Sequence, residues 1–524
     1  MKRTRLFAAI FGLLALFFLF GCASKPKPEV RTEQIVLYNE VTQKADSLFD
    51  RGCYICLKQA FELYEKAVAV PVSQEKTTEK LLKTAILLGL RERELGILQE
   101  TYFPKAENIV AAHPYLEDYA ILLKAASAIP RNTVGVVGDL VETGDRVIVR
   151  LDDVKENLKR WTSLLKEKSV IEEIYAYAAI SFFQNFSYVV KEELDFDSIE
   201  KTFPDSPLMW YMLAQQPWGN PLVLEKLALD DPQFYEAFYF LGQKAMERRM
   251  FVTAEKKFLK AYPGIPRSSS LVISLASIYF AFEELETSLE FYDKTLEMAP
   301  FHRDALLGKA MCLSYLGRHE EAIDVCNTIF SLGKYYLGES HYWRAWNLNE
   351  LERWEEAWEN IETAKKYLIG HADVFFLAGL IAFHQERLDI SERNLRESNK
   401  LDASNGDSFY YLGKIKNIQK DWLNAGAYFD SAGSRYEIEE KEIQDKMKAI
   451  MESEFSEERK KKHLARKTIQ LKKTKVTKAT SWYNAAAGFY NAGFPEKASQ
   501  LAEKAASHPS FKQKAEEILK LTKK

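Results

Sequence analysis

The strongest constraint on this chain is a period: from Phe234 onward, similar residues return every 34 or 35 positions. In the clearest copy Phe238, Leu241 and Gly242 are followed by Ala254, Phe258 and Ala261, and Pro266 closes the unit. The next copies carry Val272, Leu275, Ala276, Tyr279, Ser288, Tyr292 and Pro300, then Leu306, Ala310, Leu316, Gly317, Ala322 and Ile329. Two more have Ala345, Leu348, Trp354, Ala357 and Ala364, then Phe375, Gly379, Ser391 and Leu395. A sixth has Phe409, Leu412, Gly413, Trp422, Ala425, Phe429 and Ala432. Apolar residues at i, i+3, i+4 and i+7 mark one face of a helix. A unit of this length is a helix pair that cannot bury its apolar face alone, so copies must stack into a solenoid. Small residues at Gly242, Ala276, Ala310, Ala345, Gly379 and Gly413 mark where the paired helices touch, since a large side chain there would force them apart.

This pattern resembles the tetratricopeptide repeat, and the resemblance implies an all-α solenoid of helix-turn-helix units over 234–433. Trp482, Ala486, Phe489, Gly493, Ala498 and Ala505 give a further unit within 479–524, ending in a capping helix. It starts 73 residues after the sixth, so the charged stretch 434–478 is expected to insert a pair of long helices. Upstream, 34–233 reads as a helical region with degenerate repeats. Ala45, Gly52, Ala60, Tyr64, Ala67 and Pro71 form one, and Ser206 to Asp231 a shortened one. Helical spacing also marks Thr77–Leu95, Tyr115–Ala128, Val154–Lys166 and Val170–Phe183, whereas Gly135, Gly138 and Gly144 make Asn132–Leu151 a loop or short hairpin.

Composition agrees with a helical array. Hydrophobic residues are 47% of the chain, and only 16 prolines and 23 glycines punctuate its 524 residues. With 72 basic and 75 acidic residues the net charge is -3, which provides no field for nucleic acid. The N-terminus is different. Lys2, Arg3 and Arg5 precede a charge-free run of 15 residues, Leu6–Phe20, too short for the roughly 20 of a spanning helix. It ends in Leu19-Phe20-Gly21-Cys22, which resembles the lipobox of bacterial lipoproteins. The resemblance implies a signal peptide over 1–21, a diacylglycerol on Cys22 and a lipidated tether over 22–33, with the protein on the periplasmic face of the outer membrane.

Few residues suggest chemistry. Cys53 and Cys56 form a C-x-x-C with three readings: packing residues at a helix start, a structural disulfide, or a redox pair. Cys312 and Cys326 read as small core side chains. The eight histidines form no metal-binding pair, and no phosphate loop, nucleophile elbow or dinucleotide fingerprint is present, so neither an enzyme, a metal nor a cofactor is expected. Glu236, Asp304, Glu339, Asp373 and Asp407 recur in first turns, where the helix dipole favours acids. Arg459 to Lys478 holds ten Lys or Arg in twenty residues, read as a solvated face or a contact for anionic lipid or an acidic partner.

The function expected is therefore a membrane-tethered scaffold that binds a protein or peptide partner, with no small-molecule substrate. In tetratricopeptide arrays the first helices line the concave side. Their inner stripe, about 100° round the helix from the packing face, gives Tyr239, Ile273, Phe280, Leu307, Met311, Tyr342, Trp346, Phe376, Leu380, Phe383 and Tyr410, with Trp343 joining the central cluster. Lys414 is the one charged residue on that stripe. The alternatives are an assembly lipoprotein of an outer-membrane machine, of the barrel or pilus-secretin type, and a redox protein using the C-x-x-C. The groove could also be filled by the 437–478 helices.

Overall fold

The computed structural model describes residues 32–72, 74–127, 133–137, 140–143, 148–150, 156, 173–186, 195–216, 218–333 and 337–523. The segment expected to be a signal peptide, Cys22, the expected tether as far as residue 31 and, apart from Glu156, the helix expected over 154–166 lie outside them. No described helix is long and apolar enough to cross a membrane. Two compact units are present, one of residues 1–247 with 257–271 and one of 248–256 with 272–524.

In the first unit, α1 (Thr32–Arg51) and α2 (Tyr54–Val68) form a helical hairpin turned at Gly52, which holds φ +68°. Beside it α3 (Glu75–Glu94) is buried on all sides from Thr84 to Glu92, because α2, α4 (Tyr102–Ala112), α5 (Asp118–Ser127) and α6 (Glu173–Phe186) all pack on it. Where a loop or short hairpin was expected, the chain forms a three-stranded antiparallel meander, β1 (Thr133–Val137), β2 (Leu140–Thr143) and β3 (Ile148–Arg150). After α7 (Phe196–Thr202), α8 (Pro207–Ala214) and α9 (Pro221–Asp230) form the shortened pair, each begun by a proline after a capping Ser206 or Asn220.

The periodic helices follow. They are α10 (Tyr235–Glu247) and α11 (Phe251–Ala261), α12 (Ser269–Ala281) and α13 (Leu285–Met298), α14 (Arg303–Tyr315) and α15 (His319–Ser331), and α16 (Leu337–Glu350) and α17 (Trp354–Tyr367). Then come α18 (Ala372–His384) and α19 (Leu388–Leu401), followed by α20 (Gly406–Ile418) and α21 (Trp422–Glu452). The small positions are where the pairs cross. A Cβ on Gly242 would lie 2.5 Å from the Phe258 ring, on Gly379 2.6 Å from Leu395, and on Gly413 2.7 Å from Phe429. Buried serines on second helices reinforce two crossings, the Ser288 and Ser391 hydroxyls donating to the carbonyls of Ala276 and Gly379 at 2.8 and 2.7 Å.

The period is also written in the backbone. Arg249, Glu283, Gly317, Glu352, Glu386, Lys420 and Gly493 all have φ between +58° and +81°. Each ends a first helix, and around Gly317 its own N–H returns to Ser314 while that of Arg318 returns to Leu313, closing the last carbonyls of the helix. The same pair of bonds surrounds Glu283, Glu352, Glu386, Lys420 and Gly493.

The stretch 434–478 is helical, as the sequence led one to expect, but its two helices are continuous with those of the flanking repeats. Thus α21 runs on unbroken for 31 residues to Glu452, and α22 (Glu457–Asn491, 35 residues) begins far ahead of the seventh repeat. The two form one antiparallel hairpin whose outer half is the extra sequence. Its helices touch backbone to backbone at Gly426 and Gly488, where a Cβ on Gly488 would lie 2.8 Å from the Gly426 nitrogen. α22 then pairs with α23 (Pro495–Ala506), and α24 (Lys512–Thr522) caps the end.

These two kinds of position give opposite expectations. Glu352 and Lys420 are exposed side chains held in the left-handed region, so Glu352→Gly or Lys420→Gly should raise stability by about 0.5–1 kcal/mol. Gly413→Leu should lower it by about 1–3 kcal/mol through overpacking against Phe429. Urea unfolding midpoints check both signs.

Candidate functional site

Along the second unit the first helices touch one another directly, α14 against α16 and α16 against α18, so together they build one face. The crossing residue of each first helix points at its second helix, and the residues about 100° round point out of that face. Ile273, Phe280, Leu307, Met311, Tyr342, Trp346, Phe376, Leu380, Phe383 and Tyr410 are all half-buried there. Tyr342, Trp346 and Leu380 rest on a core of Ala345, Leu348, Ile361 and Leu377, while Phe376 and Phe383 rest on Leu395, Leu412 and Ile415.

Two of the expected residues are placed otherwise. Tyr239 is only 2% exposed and forms no part of a surface: its ring packs on Phe240 and Phe258, and its hydroxyl accepts from Gln243 Nε2 at 2.5 Å. Trp343, 9% exposed, is the buried support of the stripe, touching the rings of Tyr342, Trp346 and Tyr315.

Tyr315 was missed by the periodic rule. Ser314, which continues the line of Leu307 and Met311 along α14, is buried with its hydroxyl donating to the Ala310 carbonyl, whereas Tyr315 beside it is 57% exposed and reaches back to Phe280 with ring centroids 6.0 Å apart. Tyr411 was missed as well; it meets Phe383 edge-on at 5.2 Å. The available signal was a bulky aromatic adjacent to the selected position. The result is a run of rings, Phe280, Tyr315, Trp343, Tyr342 and Trp346, and a second patch of Phe376, Phe383 and Tyr411. Lys414 extends over the second patch, its ammonium 4.6 Å from the Phe383 ring and 4.9 Å from Tyr411, and partial burial lowers its pKa.

No known family model matches the chain. Over 39 residues, 7% of its length, it is 49% identical to an uncharacterised protein of Methanocaldococcus jannaschii, and the match spans 45% of that protein, less than half its length. Among solved structures, MamA from Desulfovibrio magneticus RS-1 is similar over 33% of this chain and 94% of its own, with 16% identity and a TM-score of 0.29. PilF of Pseudomonas aeruginosa matches over 37% and 88%, with 17% identity and a TM-score of 0.34. A tetratricopeptide repeat protein from Parabacteroides merdae matches over 55% and 99%, again with 17% identity and a TM-score of 0.34. The periodic array is a tetratricopeptide-type solenoid. That assignment stands on the helix pairs, their close crossings and the recurrent left-handed turns.

The C-x-x-C lies in the other unit, at the α1–α2 turn. Cys53 caps α2, its sulfur accepting from the Cys56 N–H at 3.0 Å, and the two cysteines are joined in a disulfide with neither exposed to solvent. Asp231 Oδ2 lies 3.8 Å from the Cys56 sulfur, but both carboxylate oxygens are held by Arg51 at 2.9 and 2.7 Å. Cys53, Cys56 and Asp231 therefore have the proximity of a metal cluster without a free set of donors. A buried disulfide also gives a redox partner no sulfur to attack. Cys312 and Cys326 are buried free thiols, with burial pushing their pKa up to about 11 and about 12.

Around this turn the unit buries charge. Arg91, with no exposed surface, stacks 3.7 Å from the Tyr211 ring centre and donates to the Gly52 carbonyl at 3.0 Å. Glu236, expected as an ordinary first-turn acid, is completely buried: it accepts from the Tyr54 N–H at 2.6 Å and lies 3.7 Å from Arg91. Asp304, Glu339, Asp373 and Asp407 do lie in first turns with some exposure. Glu92 accepts from the Thr101 N–H at 3.1 Å, yet burial raises its pKa to about 7.

A carboxyl whose folded pKa lies above its unfolded value favours the fold when protonated. The stabilisation from Glu92 is therefore complete below about pH 4.5 and is lost as pH rises towards 7. Unfolding midpoints should fall across that window by the equivalent of roughly 1–3 kcal/mol, and Glu92→Gln should flatten this dependence. An equal slope in the variant would assign the effect to other groups.

Proposed function

We propose that the protein is a membrane-tethered adaptor, anchored through lipid on Cys22, that captures a peptide or helix of a partner protein on the aromatic stripe of its first helices. The observation that carries this reading is the row of half-buried rings centred on Tyr342, Trp346 and Phe376, with Lys414 at one end. Each ring has one side on the core and another facing out, so it is rigid before a partner arrives. Large aromatic side chains fixed in this way make strong anchors, since little conformational freedom is lost on binding. A nearly uncharged lining suits the apolar side of an amphipathic helix or an extended segment with bulky side chains. Such a surface binds without catalysing, and no cofactor is part of the reading. The lipobox and the charge-free segment before it support a place in the bacterial envelope, on the periplasmic face of the outer membrane.

Trp346→Ala with Phe376→Ala should abolish capture of crosslinked partners from membranes while the helical circular dichroism is retained. Unchanged capture would remove the stripe from the function, and loss of the helical signal would assign both side chains to the core. Separately, Cys22→Ser should move the protein from the membrane pellet to the soluble fraction. Retention after a high-salt wash would require a different anchor.

A further inference from the structure

In a repeat array each unit ordinarily touches only its neighbours, which leaves the solenoid free to flex like a spring. The α21–α22 hairpin departs from this rule. Rooted at the sixth and seventh repeats, it carries its tip back to the turn between α12 and α13, in the second repeat. There the Arg459 guanidinium bonds Glu284 at 2.5 Å, and it also bonds Glu255 on α11 of the first repeat at 2.7 Å, pairs 175 and 204 residues apart in sequence. Its flat face lies 4.6 Å from the Phe282 ring centre and 4.5 Å from that of Phe455. His463 bonds the same Glu284 at 2.9 Å and stacks on Phe455, whose ring meets Phe282 edge-on at 5.1 Å. Lys467 pairs with Glu283 at 2.6 Å, Arg466 donates to the Glu283 carbonyl, and Lys256 pairs with Glu454 at 2.5 Å.

The repeats themselves show that this turn is specialised. After the left-handed residue, the third, fourth and fifth repeats place an arginine: Arg318, Arg353 and Arg387. In two of them it pairs with a glutamate three residues on, Arg318 with Glu321 and Arg353 with Glu356. The second repeat has Glu284 at that place, and the arginine comes from the hairpin. Part of the basic run thus has a local use: Arg459, Arg466 and Lys467 face the acids of the second repeat, while Lys475 and Lys478 pair with Glu440 inside the hairpin.

We infer that the hairpin is a strap that pins the solenoid at a fixed curvature, with Arg459, His463 and Lys467 as its latch on Glu255, Glu283 and Glu284. The repeats from the third to the sixth are then joined at both ends, through the chain and through the strap, so they cannot open or close unless the latch breaks. This inference does not depend on the stripe binding a partner.

Nitroxide labels on cysteines introduced at the exposed positions Glu290 and Lys462 of the full chain would report the latch by pulsed dipolar spectroscopy. A narrow, short distance is expected in the parent. Arg459→Ala with His463→Ala should move it to longer, broader values without loss of helical circular dichroism. An unchanged distance in that variant, or a broad one in the parent, would overturn the inference. Should the double variant unfold, Lys467→Glu decides: it should broaden the distribution, and adding Glu283→Lys should restore it. Failure of the exchange to restore the parent distance would also sink the latch.

Discussion

The array rests on one contact made repeatedly: the backbone of a first helix lies against a large side chain of its second helix, at a residue with little or no side chain of its own. At Gly242, Gly379 and Gly413 there is no space even for a methyl group. Once two helices are held this close, the link between them must reverse within a few residues, and the left-handed residue after each first helix does so while satisfying its last carbonyls. That is why the positive φ values share the sequence period, and why non-glycine residues such as Glu352 and Lys420 accept the strain. The same contact determines what faces outward. With the small position turned to the second helix, the bulky residues about a quarter-turn round have core beneath them and an open side.

Much of this could be read from the chain because helix crossings impose residue size at fixed spacing. Ala276, Ala310 and Ala345 are fully buried in line with their small size. The departures have local causes. Tyr239 has the right phase but is covered by Phe240 and by Gln243, which no spacing rule encodes. Ser314 and Tyr315 exchange roles because a serine can return its hydroxyl to the Ala310 carbonyl and remain buried. The excess length at 434–478 was evident, but periodicity says only that residues are added. It does not distinguish new helices from longer ones, and unbroken apolar spacing through Tyr436 and Ile443 was the clue that α21 continues. The disulfide stayed one of three readings because a C-x-x-C at a helix start suits all three until burial is known.

The first unit is built on a different principle. Its central helix α3 carries Arg91 and Glu92 into the interior, where repeats elsewhere place alanine or leucine. Arg91 is enclosed by Tyr177, Tyr211 and Phe234 and linked to the carbonyl of Gly52, next to the disulfide. Removing one member of such a set leaves a buried charge without compensation, which is costly, whereas the intact set contributes little net stability. What it does contribute is position: the Arg91 bond to the Gly52 carbonyl and the Tyr54 N–H bond to Glu236 tie α3 and α10 to the α1–α2 turn. The degenerate repeats of this region thus specify their packing with polar geometry where the periodic repeats use side-chain size.

The polar character of the strap's latch follows from the order in which such a chain can assemble. Contacts within a repeat are local and form early, while the latch joins residues 175 to 204 apart and must wait for both ends. Until then the tip of the hairpin is in water. An apolar tip would be a liability in that interval, exposed and ready to associate with other chains. Arg459, His463 and Lys467 are hydrated while free, and Lys478 and Lys475 with Glu440, and Thr474 with Glu439, hold the two strap helices together without help from the array. Phe455 supplies the apolar part of the contact as a single ring, sheltered by His463 stacked on its face. Charge complementarity with the second repeat then sets the register of docking, since only there does a glutamate replace the arginine found after the turn in the next three repeats.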